Sequence, residues 1–242
     1  MVKMGLQSFL FPPRPRCLIC SREFIFSTLS NLCDSCLEKL SFITRFCLHC
    51  GCQLAITNQA LTCQLCSKGN FILERIRAPL LYQGLARDMI IALKYQQNTG
   101  MALPLAQLMA DYWKYSFSNH SADYLLVPVP LSQERRNKRG YNQALLLADI
   151  IAEQEKMEVK ELVKRIRNTP SLYALGKTQR KEVLQGAFQI EPRAKNIVKN
   201  RKILLIDDVV TTGSTLNEVG EKLLAAGAKQ VSALTATAAE RV

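Results

Sequence analysis

Two adjacent acids, Asp207 and Asp208, lie between a short apolar run and a hydroxyl-rich loop, and no other stretch of the chain points so directly to chemistry. Carboxylates accept hydrogen bonds from sugar hydroxyls. The residues that follow, Val209, Val210, Thr211, Thr212, Gly213, Ser214 and Thr215, combine hydroxyl donors with a glycine that lets backbone approach an anion. Leu216, Val219, Gly220, Leu223 and Leu224 then recur at helical spacing until Gly227. The loop therefore opens a helix, whose unpaired N–H groups and positive dipole end favour phosphate. Acids for hydroxyls beside a cradle for phosphate describe a site for a phosphorylated ribose.

Such a site has to be held by a scaffold. Ile203 to Ile206 form a continuous apolar run, the pattern of a strand buried on both faces, and the run stops at the two acids. Ligands of open parallel sheets sit beyond the carboxyl ends of the strands, which is where this pair emerges. Tyr124 to Pro130 forms a second buried strand. Pro128 and Pro130, with Val129 between them, cannot pair in a central strand and so mark its carboxyl end. The stretch 132–143 is expected to be a basic loop that brings Arg135, Arg136, Lys138 and Arg139 to the same edge, before Ala144, Leu147, Ala148, Ile151 and Ala152 mark a helix face. A short strand over 78–82, helices over 85–93 and 101–113, an exposed connection over 115–122 and a last strand over 230–237 complete the pattern. Residues 71–242 are thus expected to form an α/β domain, a parallel sheet with helices on both faces. No internal repeat or low-complexity linker is evident.

Nine cysteines fall between Cys17 and Cys66, and eight form four Cys-x-x-Cys pairs: Cys17/Cys20, Cys33/Cys36, Cys47/Cys50 and Cys63/Cys66. Each pair makes a knuckle offering two thiolates, and two knuckles a dozen residues apart supply one tetrahedral zinc. The sequential partition places Cys17, Cys20, Cys33 and Cys36 on one ion and Cys47, Cys50, Cys63 and Cys66 on another, with interleaved ligation as the alternative. Cys52 is then either a free thiol or an alternative ligand. An odd count without a secretory signal argues against a disulfide framework. Residues 1–70 have little apolar material of their own, so zinc would supply most of their folding energy, in structural sites with no open position. The module is expected to be a double zinc ribbon.

The net charge of +12 is concentrated in the middle, where 17 Lys and Arg face 8 Asp and Glu between Leu131 and Lys202. That excess suits a pyrophosphate or a nucleic-acid backbone. No window approaches eighteen uninterrupted apolar residues, so no membrane-inserting helix is expected.

The stretch Lys202 to Thr215 resembles the phosphoribosyl pyrophosphate (PRPP) signature of type I phosphoribosyltransferases. The resemblance implies that Asp207 and Asp208 hold the ribose hydroxyls at the reaction centre and that Thr211 to Thr215 hold the 5-phosphate. With the paired cysteines, Leu93-Lys94-Tyr95, Val127-Pro-Val-Pro130, Arg139-Gly-Tyr-Asn-Gln-Ala144 and Gly186-Ala-Phe188 in order, the chain is similar to the ComF/GntX family of phosphoribosyltransferase-like proteins over nearly its whole length. By that likeness the turn around Val129 is the pyrophosphate side, and Arg135, Arg136, Lys138 and Arg139 face it. Leu172 and Val183 stand where the family shows Gln and Asn, within a segment that covers the reaction centre in active transferases.

What the family implies is a cytoplasmic role in natural transformation, with single-stranded DNA and PRPP as ligands and DNA-uptake or recombination proteins as partners. Magnesium-dependent transfer of phosphoribose to an acceptor and a zinc-assembled scaffold for protein partners are the alternatives. Fold by itself does not choose among them.

Overall fold

The computed structural model describes residues 15–24, 31–55, 60–67, 69, 72–117, 123–167, 183–192 and 194–239. In chain order the elements are α1 (Asp34–Leu37), α2 (Gln64–Ser67), β1 (Ile76–Arg77), β2 (Leu80–Leu81), α3 (Gly84–Tyr95), a 3-10 turn (Thr99–Met101), α4 (Ala102–Ser116) and β3 (Tyr124–Pro128). There follow α5 (Gln133–Arg139), α6 (Gln143–Glu155), β4 (Glu158–Val159), β5 (Val163–Arg165), β6 (Phe188–Ile190), α7 (Ala194–Val198), β7 (Lys202–Val210), α8 (Ser214–Ala225) and β8 (Gln230–Ala238).

The central sheet runs β1-β8-β7-β3-β4, with β2 also on β8, and every pairing in it is parallel. Its middle strand β7 alternates between two cores. Leu204 and Ile206 pack with Met89, Ile90 and Leu93 of α3, Leu105 and Met109 of α4, and Leu147 and Ile151 of α6. Ile203 and Leu205 pack on the other face with Val198 of α7 and Leu216, Val219 and Leu223 of α8. Burial on both faces explains why β7 and β3 are apolar runs instead of alternating ones. The expected layering of a parallel sheet between helices is what the chain adopts.

Several boundaries differ from expectation. The run 203–206 does not stop at the acids; β7 continues through Asp207 and Asp208 to Val210 because β8 keeps pairing with it as far as Val210↔Ala238. Of the expected strand 78–82 only Leu80–Leu81 is strand, as β2; β1 precedes it at Ile76–Arg77, and Pro79 lies in the gap between them. The expected exposed connection 115–122 does not start where expected, since α4 runs to Ser116 and Phe117 is buried against Trp113, their rings 4.1 Å apart; 118–122 lie outside the described residues. The expected basic loop 132–143 is largely helix α5. Ser132 supplies an extended N-cap, Glu134 lies in the first turn, Arg136, Lys138 and Arg139 lie in the last, and Gly140 ends it, so the charge order matches the helix dipole.

The cysteine region contains a repeat that the successive gaps between pairs conceal. Cys17, Cys20, Cys33 and Cys36 each have a counterpart thirty residues later in Cys47, Cys50, Cys63 and Cys66. The backbone follows the same period. The bridge Arg16↔Glu23 is matched by Phe46↔Gln53, and the bond from Cys17 N–H to Arg22 carbonyl (2.9 Å) by Cys47 to Cys52 (2.8 Å). The bond from Leu18 to Asn31 (3.2 Å) is likewise matched by Leu48 to Leu61 (2.9 Å).

This doubled unit lies along the sheet edge. Ile43 N–H donates to Pro79 carbonyl, Leu81 N–H to Ser41 carbonyl and Ile76 N–H to His49 carbonyl. Buried Arg77 donates to Leu48 carbonyl at 2.9 Å and lies over the Phe46 ring at 4.6 Å. Gly51, at φ +67°, sits so close to β1 that a Cβ there would lie 2.5 Å from Ile76 carbonyl oxygen. The bonds to Ser41, Ile43 and His49 occupy part of an edge whose amide groups would otherwise face solvent.

Candidate phosphoribosyl site and metal centres

The carboxyl end of β7 runs through Thr211 to Gly213 into α8. Gly213, at φ +77°, is the N-cap of a twelve-residue helix, a left-handed position that favours glycine, and the first helical amide, Ser214 N–H, donates to Thr212 Oγ1 at 3.4 Å. Thr212 and Ser214 hydroxyls are 2.8 Å apart. A hollow open to solvent is lined by Asp207 together with Val209, Val210, Thr211, Thr212, Gly213, Ser214, Thr215 and Leu216. Amides, hydroxyls and a carboxylate thus converge on one space, a composition that suits a sugar phosphate.

The two acids separate. Successive strand residues point to opposite faces, and Asp207 lines the hollow whereas Asp208 turns toward α3, only 3% exposed. There Lys94 Nζ lies 2.7 Å from Asp208 Oδ1, while Oδ2 is buried without a hydrogen-bond partner. Burial works against the Lys94 charge, but the adjacent Asp208 outweighs it and raises the Lys94 pKa. Asp207 Oδ1 accepts from Asp208 N–H at 2.9 Å. Burial, reinforced by the Asp208 charge, pushes Asp207 up to about 7, with Lys94 and Arg165 pulling the other way.

A cationic rim stands beside the acids. Arg165 on β5 senses both Arg135 and Asp207, and burial first, then Arg135, depresses its pKa to about 10. Arg136 pairs with Glu161 at 3.6 Å, both half exposed, and Lys138 is exposed on α5. Arg139 lies over the ring of Tyr95 at 5.1 Å, with its Nη1 buried and lacking a hydrogen-bond partner. Tyr95 itself is 69% exposed.

The segment after α5 fastens these pieces together. Tyr141 hydroxyl donates to Leu93 carbonyl, Asn142 Nδ2 donates to Val129 carbonyl at 3.1 Å, and Asn142 Oδ1 caps Ala144 N–H. Val129 N–H in turn donates to Ile206 carbonyl. Pro128 and Val129 are buried and Pro130 is half buried, so this turn offers backbone more than side chains.

Sequence reasoning placed Lys94 and Asn142 only within family-like blocks, without a role in the site, and passed over Arg165. A lone cation ending an apolar helix face, followed by an exposed tyrosine, was the available signal for Lys94. Arg165 had none, because the antiparallel ribbon β5–β6 that carries it is a tertiary feature. Leu172 lies outside the described residues. Val183 is half buried, just before Leu184, which is 1% exposed in the core beneath α8.

The cysteines form two groups. The thiols of Cys17, Cys20, Cys33 and Cys36 lie within 4.8 Å of one another, as do those of Cys47, Cys50, Cys52 and Cys63. The first group is the expected one. The second contains Cys52 where the spacing put Cys66, while Cys66 remains beside it, 7% exposed in the same cluster. Tightly gathered, mostly buried thiols with no disulfide among them fit a soft cation in tetrahedral thiolate coordination, and zinc is the ion such knuckles hold.

Residues 141–241 match the family model of the phosphoribosyl transferase domain. The chain is 29% identical over 219 residues to competence protein F of Haemophilus influenzae, covering 89% of this chain and 93% of that protein. It is 28% identical over 236 residues to competence protein ComFC of Bacillus subtilis, covering 90% and 93%. Against DNA utilization protein YhgH of Escherichia coli it is 29% identical over 204 residues, covering 83% and 87%. A solved hypoxanthine phosphoribosyltransferase of Staphylococcus aureus aligns with 58% of this chain and 62% of its own at 12% identity and a TM-score of 0.32. Among the described residues no helix is long and apolar enough to cross a membrane.

Proposed function

Given that this chain is a ComF-type protein with a phosphoribosyltransferase-like domain, we propose that it binds magnesium-PRPP or a related phosphoribosyl ligand and single-stranded DNA while serving DNA uptake in the cytoplasm. One observation carries the reading: Asp207 shares its hollow with the amino terminus of α8. The 5-phosphate takes the amides and hydroxyls of Thr211 to Thr215, and Asp207 takes a ribose hydroxyl. Asp208 contributes through Lys94, whose ammonium offsets one of the two carboxylate charges and so lessens the repulsion of an anionic ligand. Magnesium, arriving with the pyrophosphate, would offset charge on the turn around Val129. No acceptor is assigned.

The strand of DNA follows α5. Arg135, Arg136, Lys138 and Arg139 meet its phosphates, and exposed Tyr95 beneath Arg139 offers a face on which a base stacks. DNA-uptake or recombination proteins are the partners that such a role requires.

Calorimetric titration with magnesium-PRPP and anisotropy with a labelled single strand at several salt concentrations test both halves. Asp207→Asn or Gly213→Ala should weaken PRPP at least about tenfold and leave DNA binding in place. Arg135→Ala/Arg136→Ala/Lys138→Ala should do the reverse and flatten the log–log salt slope by about 2. Undetectable PRPP binding by the parent protein, or salt-insensitive DNA binding, would discard the corresponding half.

A further inference from the structure

The thirty-residue repeat supplies an internal comparison between the two cysteine groups. In each half, a bridge one residue before the first cysteine pairs with the strand returning from the knuckle, Arg16↔Glu23 and Phe46↔Gln53. The residue just before the end of that return faces the first cysteine, whose N–H bonds to its carbonyl. In the first half it is Arg22, exposed, with its guanidinium donating to Ser35 Oγ at 3.0 Å. In the second half it is Cys52, 2% exposed, its thiol among those of Cys47, Cys50 and Cys63.

The fourth cysteine expected from the period, Cys66, has not left the neighbourhood. Its N–H donates to Cys63 carbonyl as that of Cys36 does to Cys33, and its side chain belongs to the same buried cluster as Cys47, Cys50, Cys52 and Cys63. Cys50 and Cys63 sulfurs stand 3.7 Å apart at its centre. Five thiols therefore surround a centre that needs four.

We propose that the second metal centre holds zinc through Cys47, Cys50 and Cys63, with Cys52 and Cys66 as interchangeable fourth ligands. In the exchange one zinc–sulfur bond forms as the other breaks, and the proton released by the incoming thiol passes to the outgoing thiolate. The ion keeps four sulfurs and the centre keeps its charge. The first centre, with Arg22 at the corresponding place, has no substitute and depends on all of its cysteines. This inference requires the metal reading of the cysteines and is independent of the phosphoribosyl reading.

Zinc per chain, measured on the full-length protein and its variants, tests it. The parent should carry two ions, Cys52→Ser and Cys66→Ser should each still carry two, and Cys52→Ser/Cys66→Ser and Cys20→Ser should each carry one. Cobalt(II) in place of zinc should show tetrahedral four-thiolate absorption in both single variants. Emission of Trp113, the one tryptophan and 1% exposed, reports that the core is intact in each preparation. Cys52→Ala and Cys66→Ala repeat the measurement without adding a hydroxyl. Either single variant falling to one ion, the double variant retaining two, or a parent with one ion only would overturn the proposal.

Discussion

Asp207 and Asp208 are neighbours in sequence with different roles, and the difference follows from strand geometry. One turns toward the hollow and the other toward Lys94. With a pKa raised to about 7, Asp207 holds its proton more tightly folded than unfolded. Between its ordinary range and about 7 the folded state binds more protons, so this group's contribution to stability falls as pH rises through that window. The carboxylate accepts from a ribose hydroxyl more strongly than the protonated acid does, and it attracts magnesium. Affinity for magnesium-PRPP should therefore increase from pH 6 to pH 8, and Asp207→Asn should abolish the increase; calorimetry across that range checks both.

Lys94 permits a second prediction. Removing one partner of a buried ion pair strands the other, at a cost of about 3–5 kcal/mol. Lys94→Met should lower urea stability by that order, since Asp208 has only 4% of its side chain exposed. Lys94→Met/Asp208→Asn should be more stable than Lys94→Met alone. Independent, additive losses would show that the pair is not coupled.

At the scale of elements, the knuckle carrying Gly51 is seated closely against β1. An alanine at φ +67° with its Cβ 2.5 Å from a backbone oxygen meets strain and overlap together. Gly51→Ala should cost about 2 kcal/mol or more by thermal and urea unfolding. A change within a few tenths would mean that the knuckle is not seated on β1.

Elements were legible in the sequence where a single physical signal dominated. Apolar runs marked β3 and the centre of β7, and the Thr/Gly loop marked the start of α8, because burial and backbone chemistry are local properties there. Helix α5 escaped because its residues are nearly all polar and its two ends, Ser132 and Gly140, resemble those of a turn. The length of β7 escaped because pairing with β8 draws two acids into a strand that composition ends at Ile206. Within the candidate site, the Thr/Gly loop was visible, but the opposite facing of the two acids was not, since Asp208 turns to a lysine more than a hundred residues away. The repeat was present in the cysteine numbering, and Cys52 obscured it by adding a thiol to one half only.

At the scale of the molecule, the core does not respect the point where the cysteines cease. Cys17, Leu32, Cys33, Cys36 and Leu40 share one buried cluster with α3, α4 and the strands. Metal bound at the first centre thus bears on the same apolar interior that supports Lys94. Positive charge is gathered on α5 and at Arg165 of β5, which senses both Arg135 and Asp207.

The backbone bonds that Ser41, Ile43 and His49 make to Leu81, Pro79 and Ile76 carry one more consequence. A shortened protein starting near residue 71 would keep every residue of the hollow yet present unsated strand amides along one flank, an invitation to self-association. Tests of ligand binding on the catalytic-looking half alone would then report on clumped material. The amino-terminal repeat acts as a selvedge, keeping the woven sheet from fraying into its neighbours.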